Sequence, residues 1–286
     1  MSNTAYDLHE PEQRRSCVVF ASPHSGRRYL PGFLERSILD TLTLRSSEDA
    51  FVDQLFASVP EFGAPLLTAV MPRAYVDLNR SPDELDPALI QGVRRSGHNP
   101  RIASGLGVIP RVVSNGRAIY TGKLSRVEAD ARISRYWHPY HSALQTLLTD
   151  AHRTFGQAVL IDCHSMPHEA VDGVARTSTK RPDIVLGDRF GAAASGEIVE
   201  QVEAAFASAG LTVTRNAPFA GAYIAQAYGR PSRGQHAIQI EIDRALYMDE
   251  RRVEPNANFQ AFQDVLRGVI AEISGLQSSE MPLAAE

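Results

Sequence analysis

The chain has 286 residues, 43% of them hydrophobic and 22% charged, a balance that excludes disordered, collagen-like and coiled-coil chains. A chain this long buries an adequate core unaided, so a metal in it would be there for chemistry and not to hold the fold together. With 29 basic and 33 acidic residues the formal charge is -4, which offers no general attraction to nucleic acid or to an anionic membrane surface.

The opening stretch to about Arg15 is polar and aperiodic and is expected to be peripheral. It lacks an apolar targeting core, and no run in the chain is long enough to span a bilayer, so the expectation is a cytoplasmic protein. A first strand is predicted at Cys17 to Ala21, leading into Ser22-Pro23-His24-Ser25-Gly26. Proline and glycine bracket the histidine in a tight turn at the strand end. Next comes Ser46-Ser47-Glu48-Asp49-Ala50-Phe51-Val52-Asp53, with two adjacent carboxylates. A second strand at Leu66 to Met71 precedes Arg73, Tyr75, Asn79 and Arg80, a cluster equipped to bind a carboxylate or an oxyanion. A surface loop with local salt bridges is the bland alternative. The Gly-, Arg- and Pro-rich stretch from Asp83 to Asn115 names no substrate.

A helix is predicted from the capping pair Ser125 and Glu128 through Ile133, Trp137, Tyr140, Leu144, Leu147 and Leu148, kinked or split by Pro139. The strand Ala158 to Cys163 delivers a second histidine, His164, with Asp162 as a partner behind it. His168 follows Pro167 without a helical pattern and reads as a rim residue. Further strands are predicted at Ile184 to Leu186, Leu211 to Thr214 and Ala237 to Ile242, with a helix over 192–209 between them. Glu241 closes the last of these runs, where a carboxylate needs a cation, a metal-bound water or solvent. A general base and an ion pair with Arg244 are both open there. A one-faced stripe from Phe259 to Ile273, stopped by Gly275, predicts the final helix. The tail from Gln277 to Glu286 is again expected to be peripheral.

Strands alternating with helices predict an α/β fold of three layers, α/β/α, with a mixed, largely parallel central sheet. One domain over 1–286 is expected, since no repeat or linker divides the chain. Ligands in such sheets collect beyond the carboxyl ends of strands, where His24, His164 and Glu241 are predicted to meet. Two histidines with Glu48 or Asp49 would make a two-nitrogen, one-carboxylate metal site of the kind that holds catalytic zinc. Cys17 and Cys163 read as buried thiols, and Cys163 would point away from His164 because adjacent strand residues alternate faces. Walker A, GxGxxG, GxSxG and HExxH motifs are all missing.

Taken together, Ser22-Pro23-His24-Ser25-Gly26, Asp49 with Val52-Asp53, Asp77-Leu78-Asn79-Arg80, Pro139-Tyr140-His141, Asp162-Cys163-His164-Ser165 and Glu241 with Arg244 and Tyr247-Met248 resemble the N-formylglutamate amidohydrolase family. That family is similar in layout to the zinc carboxypeptidases and aspartoacylases, which implies a phosphorylase/hydrolase-like fold. The resemblance implies one Zn2+ ion, or another divalent metal, on His24, His164 and a carboxylate. The carboxypeptidase pattern has a glutamate where this chain has Arg27; by the resemblance, Asp49 is the third ligand because it keeps the spacing to Val52-Asp53 that the formylglutamate hydrolases show, with Glu48 as its alternative. By the same resemblance, Glu241 is the general base, Arg73 stabilises the oxyanion, and Asn79 and Arg80 grip a carboxylate. Tyr120, His141 and Arg244 are implied to position substrate. The activity implied is hydrolysis of N-formyl-L-glutamate, a small acidic N-acyl amino acid, to formate and L-glutamate in histidine degradation. The same site acting on another N-acyl amino acid or a peptide is the alternative enzyme, and a metal pocket that only binds an acidic metabolite is the non-enzymatic one.

Overall fold

Apolar runs too short for helices become the strands of one sheet. The computed structural model describes residues 4–94, 99–175 and 181–276. Seven strands, β1 (Tyr6–His9), β2 (Val18–Ser22), β3 (Leu66–Ala69), β4 (Ala158–Met166), β5 (Ile184–Gly187), β6 (Val213–Arg215) and β7 (Gln235–Asp243), lie in the order β1-β3-β2-β4-β7-β5-β6. The central β3, β2, β4 and β7 are mutually parallel, β1 runs antiparallel to β3, and β5 runs antiparallel to β7. This is the expected mixed, largely parallel sheet.

Successive residues of each central strand enter opposite layers. Val19, Ala21, Leu160 and Ala237 face one core with the helix His138–Phe155. Phe20, Ile161, Cys163, Ile238 and Ile240 face another with the helices Gly196–Ser208 and Phe259–Ser274. The latter helix buries Phe262, Leu266, Val269, Ile270 and Ile273, each worth about 1.5–3 kcal/mol of burial. Both cysteines are buried free thiols, and Cys163 faces the layer opposite to His164 as alternation requires. Among the described residues no helix is long and apolar enough to cross a membrane.

Several elements differ from the sequence expectation. The opening stretch adds edge strand β1, because Tyr6 and Leu8 alternate with exposed Asp7 and His9, and an edge needs only one apolar face. The terminal stretch 277–286 lies outside the described residues. The helix begun at Ser125 runs Arg126–Arg132, widens into a π turn at Ile133–Trp137 and resumes as His138–Phe155. Pro139 follows directly on that π turn, so the helix is widened just before the proline and not broken by it. Ser125 Oγ caps Glu128 N as predicted, but the Glu128 carboxylate turns to Arg36 and Arg132 instead of back to the cap.

β4 and β7 pair over nine positions, from Ala158↔Gln235 to Met166↔Asp243, and so run past the end of β2. His164 and Glu241 therefore lie within strands, not beyond their ends. They are register partners, and partners in a parallel pair point to the same face. The chain leaves β2 toward β3 on one side while β4 lies on the other, which makes the β2/β4 boundary the switch point where a crevice opens.

Candidate metal centre and its pocket

His24 is placed by the turn after β2. Ser22 Oγ donates to Ser25 Oγ across that turn (2.9 Å), and a Cβ on Gly26 would stand 2.1 Å from the carbonyl oxygen of Met71. Only glycine lets the loop lie against the end of β3, which brings His24 beside the segment 73–80. Asp49 is tied to the same turn, its backbone N–H donating to His24 O (3.0 Å). Directly after it, Phe51 takes a left-handed φ of 68°, a strained turn for a bulky residue that starts the helix Val52–Leu55.

The result is a buried group of His24, Asp49 and His164 whose donor atoms all lie within 4.8 Å of one another. One carboxylate oxygen, Asp49 Oδ2, is 2.8 Å from His164 Nδ1 and 3.3 Å from His24 Nδ1. The far nitrogens are held from behind, His24 Nε2 by Asp77 Oδ1 (2.7 Å) and His164 Nε2 by Asp162 Oδ2 (3.1 Å). A proton on each Nε2 leaves each Nδ1 as a lone-pair donor, the carboxylate–histidine arrangement that orients metal ligands. His24 Nδ1 is buried and has no hydrogen-bond partner among the described residues, so its lone pair lacks a protein donor. Two imidazoles and one carboxylate converging on one point fit a zinc-type cation.

The electrostatics favour positive charge there. Burial alone would raise Asp49, yet His164 and His24 beside it hold it well below the ordinary carboxylate value. Burial likewise opposes a charged His164, but Asp162 and Asp49 hold its pKa well above the usual imidazole value. Asp77 is kept low against its burial by Arg80, Arg73 and His24. Glu241 behaves oppositely. Burial pushes it up to about 8, with Asp49 adding to the rise while His164, Arg73 and Arg244 oppose it. A carboxyl poised near neutrality is suited to proton transfer.

Glu241 is oriented by Gln239, two residues earlier on the same face of β7. Gln239 Nε2 donates to Glu241 Oε1 (2.7 Å), while Gln239 Oε1 accepts from Ala222 N (3.0 Å). Gln239 also faces Gly187 across the β5–β7 pair. A Cβ at Gly187 would lie 2.6 Å from Gly221 N, so this glycine lets the segment 219–222 fold over the sheet as one wall of the pocket.

These residues open into a cleft of about 370 Å³ lined by the triad, Glu241, Gln239 and four arginines, Arg73, Arg80, Arg101 and Arg244. Arg73 Nε donates to Asp77 (2.9 Å). Arg80 donates to Leu106 O (2.9 Å) and to its neighbour's carbonyl, Asn79 O (2.7 Å). Arg244 donates to Ser165 Oγ, Glu48 O and Asp49 Oδ1 at 2.7–3.1 Å, so among the described residues its ion-pair partner at the centre is Asp49 and not Glu241. Asn79 lines the cleft, but its amide is engaged at both ends: Oδ1 accepts from Ile224 N and Nδ2 reaches Asp162.

Other sequence candidates fall elsewhere. The Glu48 carboxylate turns away to Tyr29 Oη (2.6 Å) and Arg45, because neighbouring residues of the turn diverge. Arg27 pairs with Asp53 at the surface. Tyr120 accepts from Arg132 Nη1 (2.8 Å) within an aromatic cluster and is not a wall of the cleft. His141 is buried between Leu78 O and Tyr228 Oη, both at 2.8 Å, and so braces the 77–80 segment from behind. His168 is half-exposed and bonded to Asp243. Sequence reasoning assigned no role to Asp77, Gln239 or Arg101. The alternation Ile238-Gln239-Ile240-Glu241 carried a signal for Gln239, two polar residues sharing one face.

The family model for N-formylglutamate amidohydrolase matches residues 16–248. The chain is similar to an N-formylglutamate deformylase of Pseudomonas aeruginosa, 29% identical over 264 residues and covering 90% of each chain. It is similar also to one of Pseudomonas putida, 29% identical over 245 residues, 83% of this chain and 84% of the relative. A crystal structure of N-formylglutamate amidohydrolase from Ralstonia eutropha JMP134 superposes with a TM-score of 0.87 at 36% identity, over 94% of this chain and 96% of that one. A family match that spans most of the chain and takes in every residue of the centre places it plainly: the chain belongs to the N-formylglutamate amidohydrolase family.

Proposed function

We propose that the chain catalyses metal-dependent hydrolysis of N-formyl-L-glutamate to formate and L-glutamate, as a step of histidine degradation. The observation that carries the reading is the convergence of His24, Asp49 and His164 beside Glu241 in a cleft walled by arginines. The names of the similar proteins from both Pseudomonas species and from Ralstonia support the substrate. Zinc, or another divalent cation, on the triad would supply a Lewis acid that activates water and polarises the formyl carbonyl.

The chain's own residues supply the rest. Glu241, beside His164 in register, takes a proton from the attacking water and returns it to the leaving amine. Gln239 holds the oxygen that does not need to move. Among the described residues Arg73 is anchored through Nε alone, which leaves its terminal N–H groups to donate to the developing oxyanion. Arg80 offers its guanidinium to the α-carboxylate, and Asn79, engaged at both ends of its amide, steadies that wall. Ser165 and Arg244 fix Asp49 through its second oxygen.

The test is metal content by mass spectrometry together with formate release from N-formyl-L-glutamate, for the intact protein and His164→Ala. One metal per chain with formate release, both lost in the variant, is the expected result. Failure to bind metal from a zinc-containing buffer would overturn the reading, and metal without formate release would overturn its substrate.

A further inference from the structure

The four arginines of the cleft are not equivalent. Arg73, Arg80 and Arg244 are each held by a carboxylate or by backbone carbonyls. Arg101 lines the same cleft with no hydrogen bond or ion pair to its guanidinium among the described residues. We propose that Arg101 binds the side-chain carboxylate of the substrate and thereby selects an acidic amino acid, an inference that rests on the N-formylglutamate reading above.

Its backbone is held in place although its guanidinium has no partner among the described residues. Arg101 belongs to the short helix Pro100–Ala103, capped by Asn99 Oδ1, which accepts from its N–H (2.9 Å). Its carbonyl accepts from Leu106 N (2.8 Å), and Leu106 O in turn accepts from Arg80 Nε (2.9 Å). Val108, two residues on, donates to Glu84 O and accepts from Asp77 N (2.9 and 2.8 Å). Arg101 is therefore set against the wall that carries Arg80 and Asp77.

The two guanidinium groups also sense each other. Arg80 is lowered from its ordinary value first by burial, against the pull of Asp77, and then by Arg73 and Arg101. Asp77, which faces Arg80, is already shared with Arg73 and His24. A second cation facing the cleft without its own carboxylate raises the free energy of the unliganded wall, and an incoming carboxylate relieves it. N-formylglutamate carries two carboxylates a few bonds apart, one for Arg80 and one for Arg101. A formyl amino acid with a neutral side chain brings only one.

The experiment compares kcat/KM for N-formyl-L-glutamate and its neutral isostere N-formyl-L-glutamine in the wild type, Arg101→Met and Arg101→Lys, all metal-loaded. The glutamate-to-glutamine ratio is expected to fall about 10- to 100-fold in Arg101→Met, mainly through KM for the glutamate substrate, with partial recovery in Arg101→Lys. A ratio unchanged in Arg101→Met, or both substrates slowed alike, would overturn the assignment while leaving the hydrolase reading intact. A wild type that releases formate from neither substrate would instead remove the hydrolase reading, and this inference with it.

Discussion

Two groups of buried histidines are built on opposite terms. At the candidate metal centre, His164 lies between Asp49 and Asp162, and these carboxylates hold its pKa well above the ordinary value despite burial. Behind the 77–80 segment, His141 stacks on Trp137 with ring centroids 3.9 Å apart, and its hydrogen-bond partners among the described residues, Leu78 O and Tyr228 Oη, are neutral. Burial there lowers it to about 4. The same side chain is thus held between carboxylates in one place and is a neutral brace in the other. What separates them is the charge of the atoms within hydrogen-bond reach, since burial is nearly the same.

The strongest way to isolate the metal end is Glu241→Gln. It leaves the triad and the apolar layers untouched, so metal content and fold are expected to persist while kcat falls by about 10²- to 10⁴-fold. Stopped-time formate assays on metal-loaded protein measure this, and wild-type turnover would show that the base is another group.

The brace is tested through stability. The folded pKa of His141 is about 4, below that of the unfolded chain, so the unfolded state takes up the proton first. Stability from a neutral His141 is then fully present above about pH 6.5 and is lost as pH falls toward 4, by at most about 3 kcal/mol. Urea unfolding at several pH values is expected to show this slope in the wild type and a flatter one in His141→Gln. Identical slopes would mean that the group is not buried neutral.

A smaller effect is expected at Asp162→Asn, which weakens the partner of His164 Nε2 without removing a ligand. Metal affinity, read by competition with a chelator, should drop about 10- to 100-fold. An unchanged affinity would place the control of His164 in Asp49 alone. The smallest effect belongs to Asp53→Asn. The Arg27–Asp53 pair is half-exposed on its arginine side, so its loss should change stability by less than about 1 kcal/mol and leave metal content unaltered, as suits a pair outside the centre.

Much of the site was legible because its residues stand in a turn or at the close of an apolar run, which are local signatures. His24 between proline and glycine, and His164 and Glu241 closing apolar runs, needed no tertiary information to be singled out. The choice between Glu48 and Asp49 did. The two are adjacent in sequence and alike in chemistry, and only the turn that bonds Asp49 N to His24 O turns one carboxylate inward and the other toward Tyr29. Tyr120 and His141 resemble substrate-binding residues in sequence, yet each is absorbed into a side-chain cluster next to the cleft. Edge strand β1 was illegible for the opposite reason, since two half-buried residues are too weak a pattern to stand out from a polar terminus.

The sequence by itself determined the layered α/β fold and singled out His24, His164 and Glu241, because period-two and helical apolar patterns and turn chemistry act between near neighbours. Tertiary structure alone decided which carboxylate joins them, which arginines are neutralised and which is left facing the cleft. Those outcomes depend on the distances between charges remote along the chain, and such distances exist only once β2, β4 and β7 lie side by side.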